Sequence, residues 1–340
     1  MTLAHRPLTV EQAGERAVLA EVLARIPNGD VLLGPGDDSA VLAAPDGRYV
    51  VSTDTMIDGP DFRLAWSAPE QLGRKAVASN LADVVAMGAR PTGLVVALAL
   101  PRDTTVDFVA RLAEGFAQGL RELWPGCGIV GGDLATSSTL TIAVTAFGSL
   151  DGRDAVTRAG AQPGDTLAVA GELGRAAGGL RLLFQDAVDA SGAADAAALA
   201  ELLAQGAEVA ELISAQLAPV PPLGAGVAAG EAGANSMMDL SDGLLLDAHR
   251  LARASKVSLE IDSDALASDI AALEPIFGAD LALRLALGGG EDHSLLASFP
   301  AGAELPEPFR AIGRVTKRQD ARVLVDGAAA DPAGWDPFAA

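Results

Sequence analysis

Two successive blocks of short strand-type runs, each interleaved with helical stretches, leave a layered α/β architecture as the arrangement that buries every apolar face. In the first block Thr9-Val10-Glu11-Gln12 has a capping-box pattern, and Val18, Leu19, Val22, Leu23 and Ile26 recur at helical spacing until Pro27 and Gly29. The runs Val31–Leu33, Ala40–Ala43 and Tyr49–Ser52 are of strand type. Pro69–Met87 reads as a helix stopped by Gly88, Leu94–Leu100 as a buried strand, and Thr105–Leu123 as a second helix. Ile129–Val130 and the alternating Thr139–Phe147 close this block near Leu150. The second block opens with the strand Thr166–Ala170 and the helix Arg175–Phe184, followed by the alanine-rich stretch Ala187–Gly206, which reads as helix rather than linker because Leu199, Leu202 and Leu203 keep a face. The helix Leu244–Ala254 and the strands Ser258–Ile261, Ser294–Phe299, Ile312–Val315 and Arg322–Val325 complete it. At 340 residues the chain exceeds one typical domain, so we expect an N-terminal domain over 1–150 and a C-terminal α/β domain over 151–340.

The charge balance narrows the possible partners. Lys and Arg total 24 against 45 Asp and Glu, a net charge of −21. A duplex nucleic-acid binder or an anionic-membrane binder needs a basic stripe, and none is present, so neither partner is expected. A lone cysteine, Cys127, rules out a disulfide framework and a thiolate-rich metal site. Met1–Pro7 has no apolar core of a signal peptide, and Gly93–Leu100 is far shorter than the roughly 20 residues that span a bilayer. A cytoplasmic location is the expectation.

Familiar catalytic motifs are missing. None of the three lysines, Lys75, Lys256 and Lys317, closes a Walker loop. There is no H-E-x-x-H and no G-x-S-x-G, and His5, His249 and His293 are scattered. Gly171-Glu-Leu-Gly174 is either a tight turn or a loop presenting backbone N–H groups to a phosphate. Cys127, between Gly126 and Gly128, reads as a small buried residue.

The aspartates are more informative. Asp37-Asp38 lies in a glycine loop before an apolar run, Asp54 follows Val50-Val51-Ser52, and Asp133 follows Ile129-Val130-Gly131-Gly132. Aspartate also belongs in ordinary turns. Asp83 resists that explanation, because helical spacing puts it with Asn80 on a stripe flanked by Val77, Leu81 and Val84, where a carboxylate needs a partner or a cation. Met237-Met238-Asp239-Leu240-Ser241-Asp242-Gly243 enters a helix; Ser241 or Asp242 could be its N-cap, which leaves Asp239 unexplained. Gly288-Gly-Gly-Glu-Asp292 is another acidic glycine loop. No EF-hand alternation is present, and dispersed carboxylates suit Mg²⁺ bound together with phosphates.

Together these segments resemble the thiamine-monophosphate kinase family, within the superfamily of aminoimidazole ribonucleotide synthetase and selenophosphate synthetase. The resemblance rests on Gly34-Pro-Gly-Asp-Asp-Ser39, Ser52-Thr-Asp-Thr55, Lys75-Ala-Val-Ala-Ser-Asn-Leu-Ala-Asp83 with Met87-Gly-Ala89, Gly131-Gly-Asp133, Thr157-Arg-Ala-Gly160, Asp239-Leu-Ser-Asp-Gly243 and Gly289-Gly-Glu-Asp292, in the family's order. It implies a two-domain aminoimidazole ribonucleotide synthetase-like fold, each domain a mixed sheet packed with helices. The N-terminal domain would bind ATP and Mg²⁺ and form a homodimer, and the C-terminal domain would complete the active site. The implied activity is ATP-dependent phosphorylation of thiamine monophosphate to thiamine diphosphate with several Mg²⁺ ions. Carried over by motif, Asp38, Asp54, Asp83, Asp133, Asp239 and Asp242 would be metal carboxylates, with Ser52 and Thr53 supplying further oxygens. Gly132, Asp133, Arg158 and Ser241 would contact ATP, and Asp61, Glu291 and Trp335 the substrate. Asp61 stands in the segment where the family usually carries histidine.

The missing general base fits this chemistry. A phosphate monoester has a second pKa of roughly 6, so its oxygen is largely ionised near neutrality and can attack in line without a phosphoenzyme. The competing readings are another ATP-using member of the superfamily, such as aminoimidazole ribonucleotide synthetase, and a non-catalytic protein that binds Mg²⁺ and thiamine phosphates. Selenophosphate synthesis would call for an N-terminal cysteine, which this chain lacks.

Overall fold

The computed structural model describes residues 8–27, 29–34 and 39–335. They form two compact units, Met1–Asn80 with Pro91–Ser149 and Leu81–Arg90 with Leu150–Ala340. Among the described residues no helix is long and apolar enough to cross a membrane.

The first unit is built on strands β1 (Val50–Ile57), β2 (Arg90–Leu100), β3 (Ile129–Thr136) and β4 (Thr141–Ser149), in the order β1-β4-β2-β3. β1 and β4 are antiparallel while β2 and β3 are parallel, so the sheet is mixed. Helix Val106–Leu123 buries Val109, Leu112, Phe116 and Leu120, and Thr105 caps its start by accepting from Phe108 N at 3.1 Å. Helix Pro69–Ala86 meets it at almost backbone contact. A Cβ on Gly73 would lie 2.5 Å from Leu112 O, and one on Gly115 only 2.2 Å from Glu70 O. Glycine at both positions therefore sets the separation of these helices, and with it the placement of Lys75 and Asn80.

Local chemistry accounts for the departures from the sequence pattern. The capping box at Thr9 forms, but the expected single N-terminal helix is broken into Val10–Ala13 and Glu15–Leu23 by Gly14, whose φ of 76° is incompatible with an α-helix. Val31–Leu33 and Ala40–Ala43 contribute one bridge, Leu33 to Val41. β1 and β3 run on through Asp54 and Asp133, which were expected to end them. Both are outer strands, where a charged side chain is tolerated, and the ladder needs only backbone groups.

The second unit contains β5 (Thr166–Ala170), β6 (Ser236–Leu240), β7 (Ser258–Ile261), β8 (Ser294–Phe299), β9 (Arg310–Thr316), β10 (Val323–Val325) and β11 (Ala328–Ala329). Their order is β11-β10-β7-β9-β5-β8-β6, with β10 and β7 parallel and the other neighbours antiparallel. Leu167, Leu244, Leu251, Leu259, Leu296 and Ile312 meet in its core. In the alanine-rich segment only Ala196–Leu203 is helical, because Asp195 caps it at Ala198 N while Asp189 ties the preceding residues into a turn through Ser191 N and Ala193 N. Two mixed sheets packed with helices thus give the α/β fold that the pattern and the resemblance implied.

The Gly171–Gly174 turn is a structural knot, and this decides between its two sequence readings. Leu173 N donates to Asp269 at 3.0 Å, Gly174 N and Ala176 N donate to Asp292 at 2.6 and 2.7 Å, and Arg310 donates to Gly171 O at 2.7 Å. These N–H groups are spent on carboxylates, so none of the three is offered to a phosphate. Gly174, in a left-handed conformation, cannot cap helix Arg175–Asp186 with a side chain; Asp292 does so from 118 residues away.

Burial pushes the Asp292 carboxyl up to about 7, against the pull of its two backbone donors. Its folded value lies above the unfolded one, so between about pH 4 and 7 the folded chain keeps a proton that the unfolded chain has lost, and stability falls as pH rises through that window. Asp247, pushed up to about 6, acts in the same direction. Urea unfolding should show this decline, and Asp292→Asn, neutral throughout, should flatten it; an unchanged slope would show that Asp292 ionises like an exposed carboxyl. Gly115→Ala should lower unfolding stability by about 1–3 kcal/mol through overpacking at the helix crossing, and an unaltered urea midpoint would mean that the helices separate freely.

Candidate active site

The first unit carries its candidate residues on an alternating strand and a glycine-dependent one. Ser52 and Asp54 share the covered face of β1 with buried Met56, since Asp54 is opposite buried Val144. Thr53 points the other way, and its hydroxyl donates to Val144 O at 2.9 Å. Asp133 is exposed on β3 opposite exposed Ala97. Asp54 and Asp133 therefore occupy opposite edges and opposite faces of one sheet, separated by three strand spacings or roughly 14 Å. Gly132 is required by packing, because a Cβ there would meet Val96 O at 2.1 Å. Beside Gly131, Gly132 and Asp133 opens an apolar pocket of about 320 Å³, lined among others by Val22, Val109 and Phe116. Asp38 lies outside the described residues.

Asp61 closes the turn after β1, its carboxylate accepting from Ile57 N at 2.7 Å. The charge where the family usually has histidine is thus engaged in a backbone turn. On helix Pro69–Ala86, Lys75 and Asn80 are buried and Asp83 is half-buried, so this carboxylate retains access to solvent.

In the second unit several candidates are drawn together by backbone hydrogen bonds between distant loops. Glu291 N donates to Ser241 O at 2.8 Å, and Trp335 N donates to Asp242 O at 3.0 Å. The loops approach so closely that a Cβ on Gly290 would lie 2.5 Å from Ser241 O and one on Gly334 2.2 Å from Asp242 O. Glu291 has a φ of 71°, a left-handed conformation that these bonds hold in place. Trp335 leaves its side chain exposed, at 62%. Asp239 is buried on β6, with His293 Nδ1 3.5 Å from its carboxylate. Arg158 is exposed; its carbonyl accepts from Ser255 Oγ at 2.6 Å, which ties its loop to helix Leu244–Ser255.

Two residues that motif reading passed over organise Asp242. Asp247, fully buried, accepts from Asp242 N at 3.0 Å, and Arg250 bridges both carboxylates, reaching Asp247 at 2.6 Å. A signal was available in the sequence: Asp247 falls between Leu244 and Leu251 on the apolar face of its helix, the same anomaly that marked Asp83. Gln216 was also missed. It lies outside every motif and donates to Glu291 Oε2 at 2.9 Å.

Among the described residues no three His, Cys, Asp or Glu side chains converge to hold a metal ion. The candidate donors are carboxylate and hydroxyl oxygens. Such a set fits Mg²⁺ bound through one or two carboxylates together with substrate phosphates and water, and does not fit an all-protein cage.

Residues 36–150 match the family model "AIR synthase related protein, N-terminal domain". The thiamine-monophosphate kinase of Mycobacterium tuberculosis (strain CDC 1551 / Oshkosh) is 42% identical over 342 residues, covering 99% of this chain and 95% of the relative. The crystal structure of thiamine-monophosphate kinase from Stenotrophomonas maltophilia K279a aligns with a TM-score of 0.76 at 34% identity, over 93% of this chain and 96% of that one. AaThiL complexed with AMPPCP and TMP aligns with a TM-score of 0.72 at 28% identity, over 98% of this chain and 99% of the other. With its motifs in family order, its fold shared and its relatives matched over most of their length, the chain belongs to the thiamine-monophosphate kinase family.

Proposed function

We propose that this protein transfers the γ-phosphoryl group of ATP to thiamine monophosphate, giving thiamine diphosphate and ADP, by a direct in-line step. The observation that carries the reading is the convergence of Ser241, Asp242, Glu291 and Trp335 through two loop-to-loop hydrogen bonds. Ser241 is then an ATP contact, Asp242 a metal carboxylate, and Glu291 and Trp335 the substrate contacts. The reading is supported by the kinase relatives and by a structural neighbour that holds AMPPCP and TMP together.

The exposed Trp335 ring offers a flat apolar surface on which an aminopyrimidine can stack. Glu291 can accept from the amino group of that ring. In the first unit Gly132 and Asp133 contact ATP, and the adjoining apolar pocket is of a size to receive its base. Arg158, exposed on its loop, would contact the ATP phosphates. The acceptor phosphate, with a second pKa of roughly 6, already presents an ionised oxygen near neutrality, so no side chain has to remove a proton. Magnesium ions would be held at separate places in the first unit, by Ser52, Asp54 and a main-chain oxygen of Thr53 on β1 and by Asp133 on the opposite edge strand with Asp38, and in the second unit by Asp83, Asp239 and Asp242; when bound, magnesium neutralises the phosphates and the charge of the transition state. A cytoplasmic homodimer completes the proposal. The homodimer is supported by the outer strand β1, whose outer edge is unpaired among the described residues and which leaves Val51 59% and Ile57 38% exposed.

The decisive assay is coupled ADP release with thiamine monophosphate, Mg²⁺ and ATP chiral at the γ-phosphorus, with the product identified. Thiamine diphosphate formed with inversion is expected; retention would refute the direct step, and metal-dependent binding without turnover would refute the kinase. Asp83→Asn should lower kcat by about 10–100-fold, the range seen when groups that support a metal are lost, while leaving the melting temperature near that of the parent. A drop in melting temperature with kcat preserved would assign Asp83 to the fold instead.

A further inference from the structure

Gln216 sits near the end of helix Ala207–Leu217, only 4% exposed, and belongs to no motif. Its amide is committed in one direction. Only the NH₂ group can donate to a carboxylate, so the 2.9 Å contact from Nε2 to Glu291 Oε2 fixes which way the amide faces. The carbonyl Oε1 is then left buried with no hydrogen-bond partner among the described residues. Buried acceptors in folded proteins are rarely left so unless a ligand or water meets them. Glu291 itself is pinned from the backbone side. Its N–H is held by Ser241 O at 2.8 Å, its φ is 71°, and the next residue is anchored through Gly174 N and Ala176 N. With the main chain fixed on both sides, the contact with Gln216 orients the carboxylate.

We propose that Gln216 is a positioning and specificity-determining residue for the acceptor substrate. It aims the Glu291 carboxylate and adds a second acceptor, its own Oε1, so that the pair recognises an exocyclic amino group, which carries two N–H donors. An acceptor ring with a carbonyl at the same place would set oxygen against oxygen and leave both protein groups unpaired. Rejection by unpaired polar groups is far stronger than rejection by size. This inference rests on the reading that Glu291 contacts thiamine monophosphate.

The test compares steady-state kinetics of the full chain and Gln216→Met on thiamine monophosphate and on its pyrimidinone analogue, in which the 4-amino group is replaced by a carbonyl oxygen. Methionine keeps the volume of the side chain, and the melting temperature is measured alongside. In the variant, KM for thiamine monophosphate should rise about 10-fold, as for loss of one oriented hydrogen bond. The preference for the amino compound should fall by a similar factor, with kcat and KM for ATP within about twofold of the parent. An active parent enzyme whose KM and preference are both unmoved by the substitution overturns the inference alone. So does a variant in which kcat and both KM values change together with a falling melting temperature. A parent chain that releases no ADP with thiamine monophosphate defeats the functional reading, and this inference with it.

Discussion

The cost of removing a carboxylate from water organises this protein. A buried aspartate must find donors or a cation, and Asp165, Asp247 and Asp269, each nearly inaccessible, all do. Asp165 gathers Gln162 N, Asn235 and Ser298; Asp247 takes Asp242 N and Arg250; Asp269 takes Leu173 N and Arg310. Asp292 joins them as the distant cap of helix Arg175–Asp186. These residues spend part of the chain's negative charge inside the second unit, where it fastens loops that no strand ladder reaches. Exposed Asp133 and half-buried Asp54 and Asp83 stand apart from that group and retain access to solvent. The net charge of −21 is therefore several populations, of which one is structural.

Close backbone approach is the second organising device. Gly290 and Gly334 lie where a Cβ would strike Ser241 O or Asp242 O, and their absence of side chains lets the loops around 241, 291 and 335 hydrogen-bond main chain to main chain. The rigidity of these loops comes from the backbone, which leaves the Glu291 and Trp335 side chains to be aimed by other contacts. Gly73 and Gly115 play the corresponding part between two helices of the first unit.

Much of the fold was legible from periodicity. Thr166–Ala170, Ser258–Ile261 and Ser294–Phe299 are strands to the residue, and the helix expected over Thr105–Leu123 forms over Val106–Leu123 with Thr105 as its cap. The failures have local causes that a pattern does not weigh: Gly14 at a positive φ, and Asp189 winning residues of the alanine-rich stretch for a turn. The expectation that Asp54 and Asp133 end their strands failed because ladder pairing at a sheet edge is indifferent to a charged side chain. At the candidate site, the motifs located Ser241, Asp242, Glu291 and Trp335. Gln216 and Arg250 were invisible, since a lone glutamine or arginine on a helix carries no pattern of its own.

The sequence by itself determined the kinds of secondary structure and the ordered set of acidic and glycine motifs from which family membership follows, because periodicity and residue chemistry are properties of neighbours along the chain. Only the tertiary structure decided which aspartates are consumed by the fold, that the Gly171–Gly174 amides are occupied, and that Gln216 meets a glutamate 75 residues away. Those outcomes depend on desolvation and on partners brought together from distant segments, and spacing along a chain records neither.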